Sequence, residues 1–515
     1  MPQILRPDIE LKILRWLSGW GFSDNPFATY AAEQEPAVSL RDAFIDTGRL
    51  DWVWGTPERP QTTLFFARRG CGKTAHRRMV EMRCSPAQPA SPVLSTLYND
   101  FTFWSELASP PGPQLHIRPI LKQLLQSLFD TIVKKKLPLG SWQPEHTAIL
   151  KQLCQCYHPD LLQPTSLLKF IRQSSPPEQG EELSLTALRQ AISESNLVAQ
   201  IANFNATALF FAGLSDAQPT SYDLTNSSLR SSLSYVVRLS QALNFQTIYI
   251  LVDGVDEVYL QNNWSWQEGI ESLLADLPLM NMPGIAFKFF LPAEVKEDLL
   301  SKPRVRPDRL AYADLTWSER DLQQLLRQRL LIFNALGISS LADFCEPNLA
   351  KTIDSELIQA AQGIPRQMLR LGNQLLEQHV LLQNATGQIH RATWDKVLQE
   401  MANELALTGQ MQLGQPQIEV NPATEIVTLG GRALSLSANE LRLILCLAGN
   451  NGFATTEQIV TFVYDNPAGG VSDEAVASMV KRLRQKLDDD AKNPAYLRTE
   501  HGRGYTLLNW RRSRV

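Results

Sequence analysis

Long apolar runs, paired cysteines and clustered histidines are missing from this sequence of 515 residues. No apolar run approaches the roughly 18 residues that a membrane-spanning helix needs, and Asp8 and Glu10 interrupt the basic-then-apolar layout of a signal peptide. The six cysteines are scattered: the close pair Cys154 and Cys156 has no second pair with which to bind zinc, and the seven histidines show no metal-ligand spacing. We therefore expect a cytoplasmic protein with reduced thiols that does not contact a membrane.

Strong charge of either sign is also missing from the chain as a whole, whose formal net charge is −4. The distribution of charge is uneven, because residues 481–514 carry ten Lys and Arg against four Asp and Glu. Localised positive charge on an acidic protein is typical of a surface that binds phosphate groups. The length predicts about three domains, and a hydrophobic fraction of 44% is enough for several cores.

The first informative segment, residues 67–74, reads Ala-Arg-Arg-Gly-Cys-Gly-Lys-Thr and follows the apolar run 62–66. A strand, a glycine-rich turn and a helix start are what a phosphate-binding loop needs, because glycine allows backbone angles that turn successive N–H groups inward. Lys73 is then placed to reach the β- and γ-phosphates, and Thr74 to ligate Mg²⁺. A chance glycine turn is the alternative. The nucleotide-binding residues that the loop predicts are Ala67, Gly70, Cys71, Gly72, Lys73, Thr74 and Ala75.

The second segment, residues 247–257, reads Thr-Ile-Tyr-Ile-Leu-Val-Asp-Gly-Val-Asp-Glu. A β-branched and apolar run that ends in acid predicts a buried parallel strand with carboxylates at its C-terminal end, where open α/β sheets bind ligands. Asp253 is placed to hold Mg²⁺, and Asp256 or Glu257 to orient or deprotonate the attacking water. The sequence does not decide between these two, and a solvated acidic turn is the alternative.

Together these segments resemble STAND-type P-loop NTPases, relatives of the AAA+ ATPases, because Gly254 separates Asp253 from the later acidic pair as in their NACHT-like branch. The resemblance extends to residues 363–366, Gly-Ile-Pro-Arg, which look like the turn of the lid subdomain, and to residues 25–27, Asn-Pro-Phe, which would lie near the adenine. It implies ATP and Mg²⁺ as cofactors and places Pro365 and Arg366 at the nucleotide phosphates. A plain joint between two helices is the alternative for 363–366. Five arginines are candidates to reach a γ-phosphate in a neighbouring subunit: Arg304, Arg306, Arg309, Arg327 and Arg329.

A separate pattern occupies residues 415–510. The alternating segment 418–436 predicts a small sheet, and Ser437 with Glu440 begins the first of three helices, 437–447, 456–464 and 472–487. The third helix has an apolar stripe of Val476, Val480, Leu483 and Leu487, which leaves Met479 and the basic residues largely off that stripe. Residues 496–507 predict a hairpin.

This order resembles the OmpR/PhoB-type winged helix, whose third helix enters the major groove of DNA while the hairpin contacts the neighbouring backbone or minor groove. The resemblance implies double-stranded DNA as a partner, and a protein-docking module is the alternative. The residues that it places at DNA are Met479, Lys481, Arg482, Arg484 and Lys486 on the helix and Arg498, Thr499 and Arg503 on the wing.

The expected fold is therefore an α/β P-loop NTPase, with a parallel sheet, a helical insertion and a helical lid, followed by a winged helix-turn-helix domain. The expected boundaries are a helical lead-in at 1–50, the NTPase core at 51–315 with its insertion at about 100–225, the lid at 316–405, a linker at 406–416 and the winged helix at 417–510.

From these resemblances we expect a STAND-type regulatory switch that binds ATP, hydrolyses it slowly and regulates transcription from double-stranded DNA. A homo-oligomer formed on ATP binding and a protein effector are further partners that such a switch admits. Two alternatives remain: an anti-invader ATPase that senses DNA or recruits an effector, and a DNA-remodelling or transposition-type ATPase.

Overall fold

The computed structural model describes residues 7–84, 91–135, 142–163, 165–166, 169, 214, 228–257, 264–382, 387–408, 418–422, 424–429, 432–450, 452–464, 473–487, 489, 494, 496–500, 504–508 and 510–512. The chain divides into two compact units. The first consists of Met1–Val380 with Ala385–Gln388, and the second of Leu381–Asn384 with Ile389–Val515.

The first unit begins with helices and then alternates strands and helices. Its elements up to the middle of the unit are α1 (Pro7–Ser18), α2 (Ala37–Ala43), α3 (Leu50–Trp54), β1 (Thr63–Ala67), α4 (Lys73–Arg83), β2 (Val93–Tyr98), α5 (Pro113–Lys135), α6 (Pro144–Tyr157) and α7 (Leu229–Ala242). They continue with β3 (Thr247–Val252), α8 (Trp266–Leu274), α9 (Leu277–Met280), β4 (Ile285–Pro292), α10 (Lys296–Ser301) and β5 (Ala311–Leu315). The helical insertion expected at about 100–225 is described only in part, because most of residues 164–227 lie outside the described residues.

The five strands form one parallel sheet in the order β2-β3-β4-β1-β5. Strand β3 is buried on both faces, as a strand covered by helices on each side must be. Ile248, Ile250 and Val252 pack into the core that α5 and α7 share, while Tyr249 and Leu251 pack with residues of α3 and α4. Since all strands run the same way, the loops after β1, β2 and β3 meet at one edge of the sheet.

A group of helices in residues 316–382, which we call the lid, follows the sheet and completes the first unit. It consists of α11 (Glu319–Phe333), α12 (Pro347–Ala350), α13 (Ile353–Ala361) and α14 (Pro365–Leu382). The expected turn at 363–366 begins where Gln362 and Gly363 take positive φ angles of 51° and 74°. Left-handed backbone at these two residues ends α13, and Pro365 then starts α14 at the first helical position, where proline is favoured.

The second unit contains α15 (Arg391–Thr408), β6 (Ile418–Asn421), β7 (Ile426–Leu429), β8 (Arg432–Ala433), α16 (Ala438–Gly449), β9 (Phe453–Ala454), α17 (Thr456–Tyr464), α18 (Asp473–Leu487), β10 (Leu497–Glu500), β11 (Gly504–Leu507) and β12 (Trp510–Arg512). The strands form two small sheets, ordered β12-β6-β7-β8 and β10-β11-β9. Ser437 and Glu440 form the expected capping box at the start of α16.

Helices α16, α17 and α18 lie within two residues of their expected bounds, and the wing hairpin forms between β10 and β11. The expected fold class, a parallel α/β unit followed by a winged helix, is therefore confirmed. No helix in the described part of the chain is both long and apolar enough to cross a membrane.

Candidate nucleotide site and candidate nucleic-acid interface

The loop between β1 and α4 has the backbone that a phosphate-binding loop requires. Gly70 and Gly72 have φ angles of 85° and 94°, which favour glycine. A Cβ atom at Gly70 would also lie 2.9 Å from Cγ2 of Ile364, so the close approach of the lid excludes a side chain there. Helix α4 begins at Lys73, directly after this turn, and its N-terminus carries the N–H groups that have no partner within the helix.

The loop opens onto a cavity of about 990 Å³, a volume that includes its open mouth. Most of the residues that the sequence predicts for nucleotide, metal and catalysis line it: Gly70, Gly72, Lys73, Thr74, Ala75, Asp253, Asp256, Glu257, Pro365 and Arg366. Ala67 and Cys71 are not among the lining residues. Ala67 is buried in β1, and the Cys71 thiol donates to the Gly363 carbonyl at 3.6 Å, away from the cavity.

Asp253 follows β3 and meets Thr74 across the loop. The Thr74 side chain lies beside the Asp253 carboxyl group at the edge of the cavity. Burial raises the pKa of Asp253, while the Arg77 guanidinium and the Thr74 side chain act in the opposite direction. A hydroxyl and a carboxylate brought together are hard oxygen ligands of the kind that Mg²⁺ prefers, so these two side chains fit a divalent ion.

The two acidic residues after Gly254 differ in their surroundings. Oδ2 of Asp256 lies 3.4 Å from Nζ of Lys73, so Asp256 forms an ion pair with the loop lysine. Glu257 is exposed and lines both the main cavity and a neighbouring cavity that also contains Asp253 and Asn99. The geometry therefore separates two residues that the sequence left equivalent.

The lid donates hydrogen bonds to the main-chain carbonyls of the phosphate loop. Arg366 N donates to the Gly70 carbonyl at 3.2 Å, and the Trp317 indole N–H donates to the Cys71 carbonyl at 2.9 Å. Nε of Arg366 donates to the Tyr30 carbonyl at 3.3 Å. Trp317 and Tyr30 line the cavity too, although the sequence pattern did not identify them.

We call residues 25–35 the N-terminal strap. The strap packs on the lid at one end, where Asn25 donates to Asn373 at 2.9 Å and Phe27 fills the space beside Gly372. Arg329 of the lid is buried, forms an ion pair with Glu35 at 2.8 Å and donates to the Pro26 and Thr29 carbonyls. This corrects one expectation: Arg329 is not available to a neighbouring subunit. The other four arginines of that group are exposed.

On α18 the structure corrects the predicted position of Met479. This side chain is 0% exposed and belongs to the core of the second unit. Met479 is three residues after Val476 and four before Leu483, so it lies on the same helical face as the apolar stripe. Met479 therefore cannot present its side chain to DNA.

The basic residues at the end of α18 are tied to their own domain. The Arg484 guanidinium donates to the Leu497 carbonyl at 2.6 Å and to the Thr499 hydroxyl at 3.0 Å, and its side chain is 13% exposed. Lys486 donates to Glu440 at 2.7 Å. On the wing, Arg498 forms an ion pair with Glu500 at 2.7 Å, and Arg503 lies outside the described residues.

Six exposed residues of α18 share one face, which we call the outer face: Glu474, Ala477, Ser478, Lys481, Arg482 and Gln485. Within the described part of the chain, Lys481 and Arg482 have no side-chain partner. Ser478 and Gln485 were not predicted, although their spacing from Lys481 and Arg482 follows the helical repeat.

The first unit is therefore a P-loop NTPase fold, and the second is a winged helix of the OmpR/PhoB type. Residues 431–507 match the family described as "Transcriptional regulatory protein, C terminal". An 82-residue stretch is 38% identical to the transcriptional regulatory protein AfsQ1 of Streptomyces coelicolor, over 16% of this chain and 36% of that protein. A stretch of 121 residues is 31% identical to the uncharacterized transcriptional regulatory protein YcbL of Bacillus subtilis, over 23% of this chain and 50% of that protein. The chain thus spans half or less of the length of these relatives.

Two solved structures are similar at low identity. The Klebsiella pneumoniae RstA DNA-binding domain in complex with RstA box is 24% identical, over 19% of this chain and 96% of that one, with a TM-score of 0.17. The Aeropyrum pernix ORC2 protein is 12% identical, over 95% of each chain, with a TM-score of 0.36. Neither likeness carries an argument about function.

Proposed function

We propose that this chain is a STAND-type regulatory switch, in which ATP bound to the first unit controls how the second unit binds double-stranded DNA. The observation that carries the proposal is the meeting of Lys73, Thr74, Asp253 and Glu257 at one cavity. A chain that joins this cavity to a transcription-regulator domain can make DNA binding depend on nucleotide.

In this proposal the loop N–H groups and Lys73 bind the β- and γ-phosphates, and Thr74 and Asp253 hold Mg²⁺. When bound, Mg²⁺ neutralises phosphate charge during transfer. Glu257 orients the attacking water, because it is exposed in the cavity while Asp256 is paired with Lys73. Pro365 and Arg366 bring the lid to the phosphates, and α14 leads along the chain towards the second unit.

The roles of the two acids are tested by a pair of matched substitutions. Glu257→Gln should keep ATP bound and slow its hydrolysis by about 100-fold or more, the lower end of the range for a general base. Asp256→Asn should retain more than half of the turnover. Single-turnover hydrolysis and equilibrium ATP binding separate the two effects. The reverse result would make Asp256 the base.

For the second unit we propose that the outer face of α18 enters the major groove. Arg482 and Gln485 have the donors that recognise guanine and adenine edges, and the small side chains of Ala477 and Ser478 allow close approach to the bases. Lys481 contributes charge that favours phosphate binding at any sequence.

The switch itself is tested by titrating duplex DNA with ATP, ADP or no nucleotide at one salt concentration. If ATP tightens DNA binding, DNA must tighten ATP binding by the same factor. Lys73→Ala should abolish the difference, while Arg41→Ala, which removes an exposed cation of the same unit, should leave it unchanged. Equal DNA affinities in all three states, with ATP shown to be bound, would contradict the switch.

Genome-wide DNA occupancy of the wild type beside Lys73→Ala distinguishes regulation from the alternatives. A few promoter sites that depend on Lys73 are expected for a regulator. Binding to any duplex, together with DNA-stimulated hydrolysis, would instead favour a remodelling or transposition-type ATPase.

A further inference from the structure

Arg77 lies one helical turn after Lys73 on α4, and its side chain is only 2% exposed. Each of its three guanidinium nitrogens donates to a different carboxylate. Nε donates to Oδ2 of Asp253 at 3.1 Å, Nη1 to Oε2 of Glu81 at 2.7 Å, and Nη2 to Oε1 of Glu33. The three carboxylates come from three separate segments: the end of β3, the next turn of α4 and the N-terminal strap.

A buried arginine requires several polar partners, because its charge loses its hydration on folding. Glu81 and Glu33 are half-exposed or more, and both could be solvated by water without the guanidinium. Asp253 is different, since its side chain is only 8% exposed. Of the three carboxylates, Asp253 is therefore the one that depends most on its bond to Arg77, because little water can solvate it.

The two oxygens of the Asp253 carboxyl group accept hydrogen bonds from different donors. Oδ2 accepts from Arg77, and Oδ1 accepts from the Gly254 N–H at 3.0 Å. The carboxyl group is thus held at both oxygens, next to the Thr74 hydroxyl and at the edge of the cavity. Groups that bond a metal-binding carboxylate from behind set its orientation.

The Glu33 bond extends this arrangement to the strap. In the sequence, Glu33 follows Thr29, Tyr30 and Ala32 and precedes Glu35. These four neighbours of Glu33 line the main cavity. Arg78, the next residue of α4, donates to the carbonyls of Ala32 and Glu35. Two neighbouring arginines of α4 therefore hold the strap against the helix that starts at the phosphate loop.

We propose that Arg77 is a positioning residue for divalent metal binding: it orients the Asp253 carboxylate and, through Glu33, joins it to the strap that lines the nucleotide cavity. This inference rests on the proposed nucleotide site. Arg77 touches neither nucleotide nor metal in this arrangement and acts through Asp253.

The test measures binding of a fluorescent ATP analogue while MgCl₂ is titrated into the full chain, and again in excess EDTA. The variants are Arg77→Met, Arg77→Lys and Glu33→Gln. Glu81→Gln is the matched control, because it removes a carboxylate from the same guanidinium but from the side away from the cavity. Thermal unfolding shows which variants retain a cooperative fold.

Arg77→Met should raise the Mg²⁺ concentration at half-saturation by about tenfold or more, as is usual for residues that bond metal ligands. Arg77→Lys should give an intermediate shift, since an ammonium keeps the charge but cannot bond three separate carboxylates. Glu33→Gln should shift it by less than about fivefold, and Glu81→Gln by less than about twofold, as for exposed pairs. In excess EDTA the affinities of the folded variants should differ less than their Mg²⁺ requirements do, because Arg77 contacts the metal-binding carboxylate directly and reaches the strap only through Glu33.

An unchanged Mg²⁺ requirement in Arg77→Met, or in Arg77→Lys if the first variant does not fold, would overturn the inference while leaving the nucleotide site intact. An equal shift in Glu81→Gln would also overturn it, since that result indicates a general loss of helix stability. A folded wild type that binds no nucleotide at any Mg²⁺ concentration would overturn the proposed function and this inference together.

Discussion

Helices α4 and α18 both carry several basic residues, but they use them differently. On α4, Lys73, Arg77 and Arg78 all bond to acidic groups or carbonyls of other segments around one cavity. On α18 the basic residues divide into two sets. Arg484 and Lys486 hold the wing and the start of α16, while Lys481 and Arg482 stay exposed.

The difference follows from what each helix must do. A helix that begins at a small-molecule site needs its charged groups fixed before the ligand arrives, because preorganised charges lose little on binding. A helix that approaches a large polyanion needs some cations to fix its own domain and others left open to solvent. Charge alone therefore does not identify a binding residue, because the role of each cation depends on the groups that it bonds.

The largest expected effect concerns Met479, on the buried face of α18. Met479→Ala should destabilise the second unit by about 2–5 kcal/mol, because it leaves a cavity in a fully buried position. Urea unfolding of the full chain should show the change, and DNA affinity at a temperature where the variant is folded should be unaltered. Ser478→Ala on the outer face is the control. A lower DNA affinity in folded Met479→Ala would indicate that Met479 does contribute to the DNA interface.

Next in size is Lys73→Ala in the cavity. Loss of a charged hydrogen-bond donor should cost roughly 1.5–3 kcal/mol of ATP binding, or about 10- to 100-fold in Kd. Calorimetry of ATP binding measures this directly. The thermal unfolding temperature should change little, because the Lys73 side chain lines the cavity and is not part of the hydrophobic core. Wild-type affinity in this variant would rule out the phosphate-loop assignment.

A smaller effect separates the two sets of cations on α18. Replacing Lys481 and Arg482 by Ala should reduce the slope of log affinity against log salt by about one unit, for the phosphate that Lys481 no longer neutralises. The loss of Arg482 should cost roughly 1–3 kcal/mol at sites whose guanine it contacts. The domain should remain as stable as before, since both side chains are exposed.

Arg484→Ala is the matched variant for this comparison. It should lower the unfolding temperature of the second unit, because it removes the bonds to Leu497 and Thr499. The opposite pattern, with reduced stability in the first variant and a reduced salt slope in the second, would reverse the assignment of the two sets.

The smallest expected effect concerns a cation that lies inside the sheet. Lys288 on β4 is buried, bonds to the Gln61 carbonyl at 3.0 Å, and has its pKa lowered to about 7 by burial. The unfolded chain therefore binds the proton more tightly, so this residue makes wild-type stability rise between pH 7 and about 10.

Lys288→Met should therefore favour the folded first unit most at pH 6.5, where the buried ammonium of the wild type opposes folding. The gain should shrink as the pH is raised towards 9, where neutral lysine is favoured in the fold. Unfolding temperatures of both proteins at several pH values give this comparison. A gain that does not vary with pH would show that protonation of Lys288 does not oppose folding.

Much of the molecule was predictable from local pattern. The phosphate loop is encoded by two glycines and Lys-Thr at fixed spacing, and β3 by an unbroken apolar run, because backbone angles and strand burial depend on nearby residues. The lid turn at Gly363 and the helices of the winged helix were predictable for the same reason, since caps and apolar spacing act within one or two turns.

The errors share one cause. Met479 was expected outside because a stripe of four apolar residues already gave α18 a buried face, yet the second unit covers a wider part of the helix. Arg329 was a candidate to reach a neighbouring subunit, and the resemblance placed Arg484 at DNA, yet each donates to a carbonyl of another segment of its own unit. No local sequence pattern specifies how much of a helix surface is packed or which carbonyl of another segment lies near a side chain.

The sequence by itself determined the two fold classes, the phosphate loop and the acids after β3, because these depend on spacing along the chain. Only the tertiary structure decided that Asp256 pairs with Lys73 while Glu257 stays open, that Arg77 holds Asp253, and which face of α18 is exposed. These are contacts between segments as many as 183 residues apart. They are set by how the layers pack, since a side chain's partner is fixed by its neighbours in space rather than along the chain.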